Sequence, residues 1–278
     1  MDAEQALPLL KRVLTRREPC TQRLRRMAVW LIASRKPADA AEVLLNVAKT
    51  DPDKEVREQA VFWIANVPTE EATTMLIELA KKGDDLELRR RAVYSLSRSK
   101  SPRAATTLKD IALDNNAEME LREDALTWYL AAPAGAADAI TFLKDMYGRV
   151  DEPRLKQRVL YAISTRRTDE SRAFLLELAQ NPKESMDVRR SAIYSLQSAG
   201  ITGAQLGQVY DRGADVELRR QLIAVLAMLK DNSGVDKLLD IARNEKNAEL
   251  RKQAIASLTR ANSKDPRVLA LLKEIIEK

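Results

Sequence analysis

Histidine is absent from the 278 residues of this sequence. That removes Ser–His and Cys–His nucleophile pairs, imidazole general bases and every histidine-containing zinc site. Cys20 is the single cysteine, so no disulfide closes within the chain and no cysteine cluster holds a metal. The eight glycines are scattered, and none forms a G-x-G-x-x-G or Walker sequence, which excludes a glycine loop for phosphate. Neither a cofactor nor a metal is expected. Aromatic residues make up only 4% of the chain, too few for an array of antiparallel hairpins. No apolar run reaches about 18 residues, so neither a spanning helix nor a membrane partner is expected. The segment Met1 to Leu14 carries Asp2 and Glu4 and spaces its apolar residues as a helix does, unlike a secretory signal.

What is present is self-similarity. The chain is 45% hydrophobic and 32% charged, with a net charge of +6, and its residues recur at a fixed period. Glu55-Val-Arg-Glu-Gln-Ala-Val-Phe-Trp-Ile64 returns as Glu87-Leu-Arg-Arg-Arg-Ala-Val-Tyr-Ser-Leu96 and as Asp187-Val-Arg-Arg-Ser-Ala-Ile-Tyr-Ser-Leu196. Further copies run from Glu120 to Tyr129 and from Glu249 to Leu258, with weaker ones at 23–32, 154–163 and 217–226. The basic anchors are Arg25, Arg57, Arg89, Arg122, Lys156, Arg189, Arg219 and Arg251, separated by 32, 32, 33, 34, 33, 30 and 32 residues.

Each copy reads as the second helix, B, of a helical pair. Three residues past the anchor stands a small or apolar residue, from Ala28 to Ala254, and four further on an apolar one, from Ile32 to Leu258. At about 100° per residue these form one stripe that must be buried. Good N-cap types precede the anchor by four in six repeats: Thr21, Asp53, Asp85, Ser185, Asp215 and Asn247. The first helix, A, fills each interval, as in Ala40 to Ala48, Glu71 to Ala80 and Ser171 to Ala179, each with an i, i+3, i+4, i+7 pattern. Pro52, Pro68, Pro102, Pro133, Pro153, Pro182 and Gly213 punctuate the turns. Arg16-Arg17, Arg35-Lys36, Arg98 with Lys100, and Arg166-Arg167 fall near helix C-termini, where the helix dipole favours cations. Helix A opens the chain at Leu7 to Leu14 and closes it at Pro266 to Ile276, giving eight pairs and a terminal helix in a single domain over 1–278.

The x-Val/Leu-Arg-x-x-Ala-x-x-x-Leu signature at 30–34 residue spacing resembles HEAT repeats of the short bacterial type. Lys156 with Val159, and Leu222 in place of alanine, depart from it as local packing variants. The resemblance implies an all-α, right-handed αα superhelix whose B helices line a concave surface. It says little about function, because such solenoids host many unrelated binding roles.

Two features invite a functional reading. The anchor arginines lie beside the apolar stripe, where a partly buried charge needs partners, so a structural role outweighs an anion site. Acids two residues before the anchor, such as Glu55, Glu87 and Glu217, sit in the first turn, where they complement the helix dipole. On the opposite face, two residues past the buried small position, stand Trp30, Phe62, Tyr94, Tyr161 and Tyr194, five of the twelve aromatic residues. Beside them lie Arg26, Arg90, Arg91, Arg158, Arg190, Arg220 and Lys252, against Glu58, Glu123 and Asp124. Two readings stand side by side: filler between neighbouring B helices, or a basic and aromatic groove for an extended ligand. Trp63 and Trp128, one residue further, read as core between repeats.

The expected function is a non-catalytic, monomeric scaffold that binds a protein or an extended, acidic peptide in this groove. Nucleic-acid binding is the alternative, with an architectural resemblance to HEAT-like alkylpurine DNA glycosylases. No motif carries a catalytic aspartate onto a numbered position, and Asp124 is only the best-placed candidate in the groove.

Overall fold

The computed structural model describes residues 3–35, 39–67, 69–132, 138–212, 215–229 and 231–277. Pro68, Pro133 and Gly213 among the turn signals, and Lys36 among the cations near helix ends, lie outside the described residues. Among the described residues the regular structure is all helical, seventeen α-helices and one 3-10 turn, with no strand. The chain divides into two compact units, Met1–Ala139 and Ile140–Lys278.

The first unit holds four helical pairs: α1 (Ala3–Leu14) with α2 (Gln22–Arg35), α3 (Ala40–Thr50) with α4 (Lys54–Ile64), α5 (Glu70–Lys82) with α6 (Leu86–Ser97), and α7 (Pro102–Leu113) with α8 (Met119–Ala131). The B helices α2, α4, α6 and α8 pack in succession, and α3, α5 and α7 do the same in the A layer. In the second unit α9 (Ala139–Arg149, all but its first residue) precedes α10 (Pro153–Ser164), followed by α11 (Asp169–Gln180), α12 (Met186–Ser198), α13 (Gly203–Asp211) and α14 (Val216–Met228). It ends with α15 (Asn232–Asn244), α16 (Ala248–Ala261) and α17 (Pro266–Ile276). Here the B layer runs α10, α12, α14, α16.

The stripe of helix B is the core of both units. Ala28, Ala60, Ala92, Ala125, Val159, Ala192, Leu222 and Ala254 are all buried, as are Ile32, Ile64, Leu96, Tyr129, Ile163, Leu196, Leu226 and Leu258. Each large aliphatic member of the second row contributes about 1.5–3 kcal/mol by leaving water. Tyr129 keeps its place in that row because its hydroxyl donates to Asp138 at 2.5 Å and Lys109 lies 5.1 Å above its ring. Side chains of Asp53, Asp85, Ser185, Asp215 and Asn247 accept backbone N–H groups at the starts of their B helices. Thr21 differs. Pro19 closes a 3-10 turn over Pro19–Thr21, and the Thr21 hydroxyl donates to the Glu18 carbonyl at 2.7 Å instead of capping α2. Gly200 follows α12 in the left-handed region, φ +76°, with the Ile201 N–H reaching back to the Leu196 carbonyl. Gly203 lets α13 approach α15 so closely that a Cβ there would lie 2.1 Å from the Gly234 nitrogen.

The anchor arginines join one repeat to the next. An α-helix leaves its last four carbonyls without intrahelical partners. Arg89, Arg122 and Arg189 donate from Nε to such carbonyls, Ala80 at 3.1 Å, Ala112 at 3.3 Å and Ala179 at 3.1 Å, each in the A helix of its own pair. Two of them reach onward: Arg89 to Glu118 at 2.7 Å and Arg189 to Asp215 at 2.6 Å, the residues preceding the next B helix. Arg25 is the most enclosed. It meets Asp51 through two nitrogens at 2.8 and 3.1 Å and also donates to Thr21 and to the Arg16 carbonyl. Arg25 and Asp51 are both almost wholly buried. Arg17 and Arg167, expected near helix ends, donate to the Thr50 and Ser198 carbonyls of the neighbouring repeat.

Removing one partner of a buried pair leaves the other charge uncompensated. Arg25→Met is expected to cost about 3–5 kcal/mol, and Arg25→Met with Asp51→Leu to recover most of it, measured by thermal melting of both variants. Burial disfavours the charged form of Asp215, but the Leu218 N–H and Arg189 overcome it and hold the carboxyl below its ordinary pKa. Burial opposes ionisation of Asp53 as well, and the Val56 N–H with its neighbouring donors outweighs it, so this carboxyl is also lowered. A depressed folded pKa gives stability that is complete above the unfolded value, about 3.9, and lost as pH falls through the folded value. With no histidine to titrate, melting temperature should stay level from about pH 7 to 5 and fall below about pH 4.

Candidate ligand-binding surface

The position two residues past the buried small residue lies on the side of each B helix away from its own stripe, and two of its three first-unit aromatics are packed where those of the second unit stand exposed. In the first unit Phe62 and Tyr94 are half-buried and stacked, with centroids 6.4 Å apart and ring planes 13° from parallel. Trp63 meets Phe62 edge-on at 5.2 Å, and Trp128 meets Tyr94 edge-on at 4.7 Å. Arg98 lies 5.6 Å above the Phe62 ring. The four rings thus pack on one another, and Trp30 on α2 is the exposed member of the row, at 46%. In the second unit Tyr161 and Tyr194 are 62% and 38% exposed, and neither packs on another ring among the described residues. The Tyr194 hydroxyl lies 3.5 Å from Gln221 of the next B helix.

Two tryptophans support the packed pair from different helices. In the first unit Trp63 and Trp128 supply rings for Phe62 and Tyr94 to lean on. Trp63 follows Phe62 on the same helix, whereas Tyr94 is followed by Ser95 and meets Trp128 of α8, the next B helix; Tyr161 and Tyr194 are followed by Ala162 and Ser195. Trp63 and Trp128 stand one residue beyond the aromatic column of their own repeats, and Trp128 reaches Tyr94 from the following repeat, so the column alone does not show these contacts.

Charge divides the same way. In the first unit the expected groove cations are bridged across repeats: Arg26 to Glu55 at 2.9 Å, Arg91 to Glu58 at 2.9 Å, and Arg90 to Asp124 at 2.6 Å. Arg90 also meets Glu87 at 3.0 Å, and these hydrogen bonds, that of Asp124 foremost, raise its pKa. Glu58, Glu123 and Asp124 all belong to this unit, so its three groove cations stand against three groove acids. The second unit places Arg158, Arg190, Arg220 and Lys252 at the same two positions, with no acid among them. The pairs of Arg190 with Asp187, at 3.9 Å, and of Arg220 with Glu217, at 3.5 Å, each lie within one helix and are long. Lys252 is exposed and forms no ion pair among the described residues. The expected basic surplus of the groove is therefore carried by the second unit.

Chemically the surface offers cations and ring faces. Asp124, the groove carboxylate singled out in the sequence, accepts from Arg90 at 2.6 Å. Among the described residues no group of three or more acids and cysteines could hold a metal ion. No helix among them is long and apolar enough to cross a membrane.

The chain belongs to the HEAT-repeat family. The model of HEAT repeats matches residues 41–127 and 203–278, more than half of the chain. No curated protein matches it. Among solved structures, the chain is similar to human deoxyhypusine hydroxylase in complex with glycerol, at 17% identity, covering 88% of this chain and 90% of that one, with a TM-score of 0.39. It is also similar to the complex of CpcE and CpcF of phycocyanin lyase from Nostoc sp. PCC7120, at 18% identity, covering 98% and 93%, with a TM-score of 0.39.

Stacked rings contribute about 0.5–1.5 kcal/mol beyond their buried area. Tyr94→Ala is expected to lower stability by about 1–2 kcal/mol, whereas Tyr161→Ala should change it by less than about 0.5 kcal/mol. Chemical denaturation of the two variants checks the contrast.

Proposed function

We propose that the chain is a non-catalytic, monomeric scaffold, a single repeat domain that binds a protein or an extended, acidic peptide on the outward face of its B helices. One observation carries the reading: Tyr161 and Tyr194 keep accessible ring faces on the same layer as Arg190 and Arg220, whose own pairs are long and exposed. Exposed aromatics and arginines are the side chains that anchor protein interfaces most often. Glu58 and Asp124 of the first unit are paired with Arg91 and Arg90. HEAT repeats as a class suit such a role, since stacked repeats present extended binding surfaces. Against nucleic acid, Glu58, Glu123 and Asp124 interrupt, within the first unit, the basic path that phosphates would follow.

Binding to an array of extended peptides of mixed composition tests the reading. The Tyr161→Ala, Tyr194→Ala double variant should retain wild-type helicity and lose about tenfold or more in affinity for the peptides that bind, the loss expected of two anchor residues. Unchanged binding by that variant would refute the assignment. Duplex and single-stranded DNA are expected to show no binding at ~50 mM salt, where phosphate contacts are strong.

A further inference from the structure

We propose that the B-helix face of the second unit takes an acidic segment in the polyproline II conformation, with a carboxylate at every third residue, a refinement that rests on the peptide-binding reading above. Arg190, Arg220 and Lys252 occupy the same register position on α12, α14 and α16, which pack in succession. Packed helices lie about 8–10 Å apart, so the cations recur at about that interval. A polyproline II segment has three residues per turn and rises about 3.1 Å per residue, which brings every third side chain to one face at about 9 Å. A β-strand repeats its face every second residue, at about 6.6 Å, and falls out of step with the row within one repeat.

The ring faces agree with this choice. Tyr161 and Tyr194 lie along the same layer as the cations and stand exposed without ring partners among the described residues, and proline-rich segments dock on exposed aromatics of this kind. Beyond them the aromatic column falls to the small residues Ala224 and Ala256, neither of them buried. An α-helix also matches the interval, at about 10 Å for seven residues, but it needs a broad apolar groove. The flanking positions here are Gln221 and Gln253, with amides donating to Glu217 and to the Arg220 carbonyl. The acids that now face the arginines do not block the site. Asp187 is 86% exposed and 3.9 Å from Arg190, and exposed pairs of this kind contribute only about 0.2–1 kcal/mol.

Fluorescence anisotropy with labelled proline-rich peptides of identical composition tests the spacing, with glutamates placed at every second, every third or every seventh residue. The every-third peptide should bind the intact chain about tenfold more tightly than the others at low salt and lose that advantage as salt screens the pairs. Arg190→Glu with Arg220→Glu should abolish the preference, whereas Arg26→Glu with Arg91→Glu in the first unit should leave it intact, each variant being checked for wild-type helicity. Equal affinity for all spacings, preference for every seventh residue, or an equal loss from the first-unit variant would overturn the inference. Failure here with continued dependence of array binding on Tyr161 and Tyr194 removes the polyproline register and keeps the scaffold. Failure of both removes the scaffold reading as well.

Discussion

The guanidinium at the head of helix B is the joint on which the repeats depend. It binds carbonyls that helix A leaves open and reaches an acidic group leading into the following repeat, as Arg89 and Arg189 do. One side chain thereby satisfies the end of one helix and fixes the entry of another. Such a charge is tolerated beside the core because its donors find partners, as Arg25 shows most fully. The apolar stripe supplies most of the favourable free energy, and arginines such as Arg89 and Arg189 tie adjacent repeats together beside it.

Once the joint and the stripe are fixed, the rest of helix B is left to vary, and the two units use that freedom differently. The first turns its outward face on itself: rings lean on rings, and Arg26, Arg91 and Arg90 each meet an acid of a neighbouring repeat. The second leaves rings and cations to solvent. The surface offered to a partner therefore depends on whether a tryptophan of the same or the next B helix reaches the ring, as Trp63 reaches Phe62 and Trp128 reaches Tyr94.

Much of the fold is legible in the sequence because it repeats. The periodic anchor, the small residue three places on and the polar residue before the helix locate nearly every B helix, and α17 occupies the expected Pro266–Ile276. Thr21 breaks the capping rule because a local 3-10 turn at Pro19 competes with it. The division of the surface is harder to read. Column counts treat all repeats alike, whereas pairing depends on reach across about one repeat of sequence, as between Arg90 and Asp124. The close approach of Gly203 to Gly234 carries no periodic signature at all, since it belongs to a single pair of repeats.

The arginine joint also has a consequence for how such a chain can change over generations. The couplings of Arg25, Arg57, Arg89, Arg189 and Arg219 are each made between consecutive modules, to an acid four or six residues before the next anchor, so duplication or deletion of a whole module would leave each new neighbour a similar acid to meet. Length and recognition are then inherited separately: the first by copying modules, the second by substitutions on a side of the helix that the lock never senses.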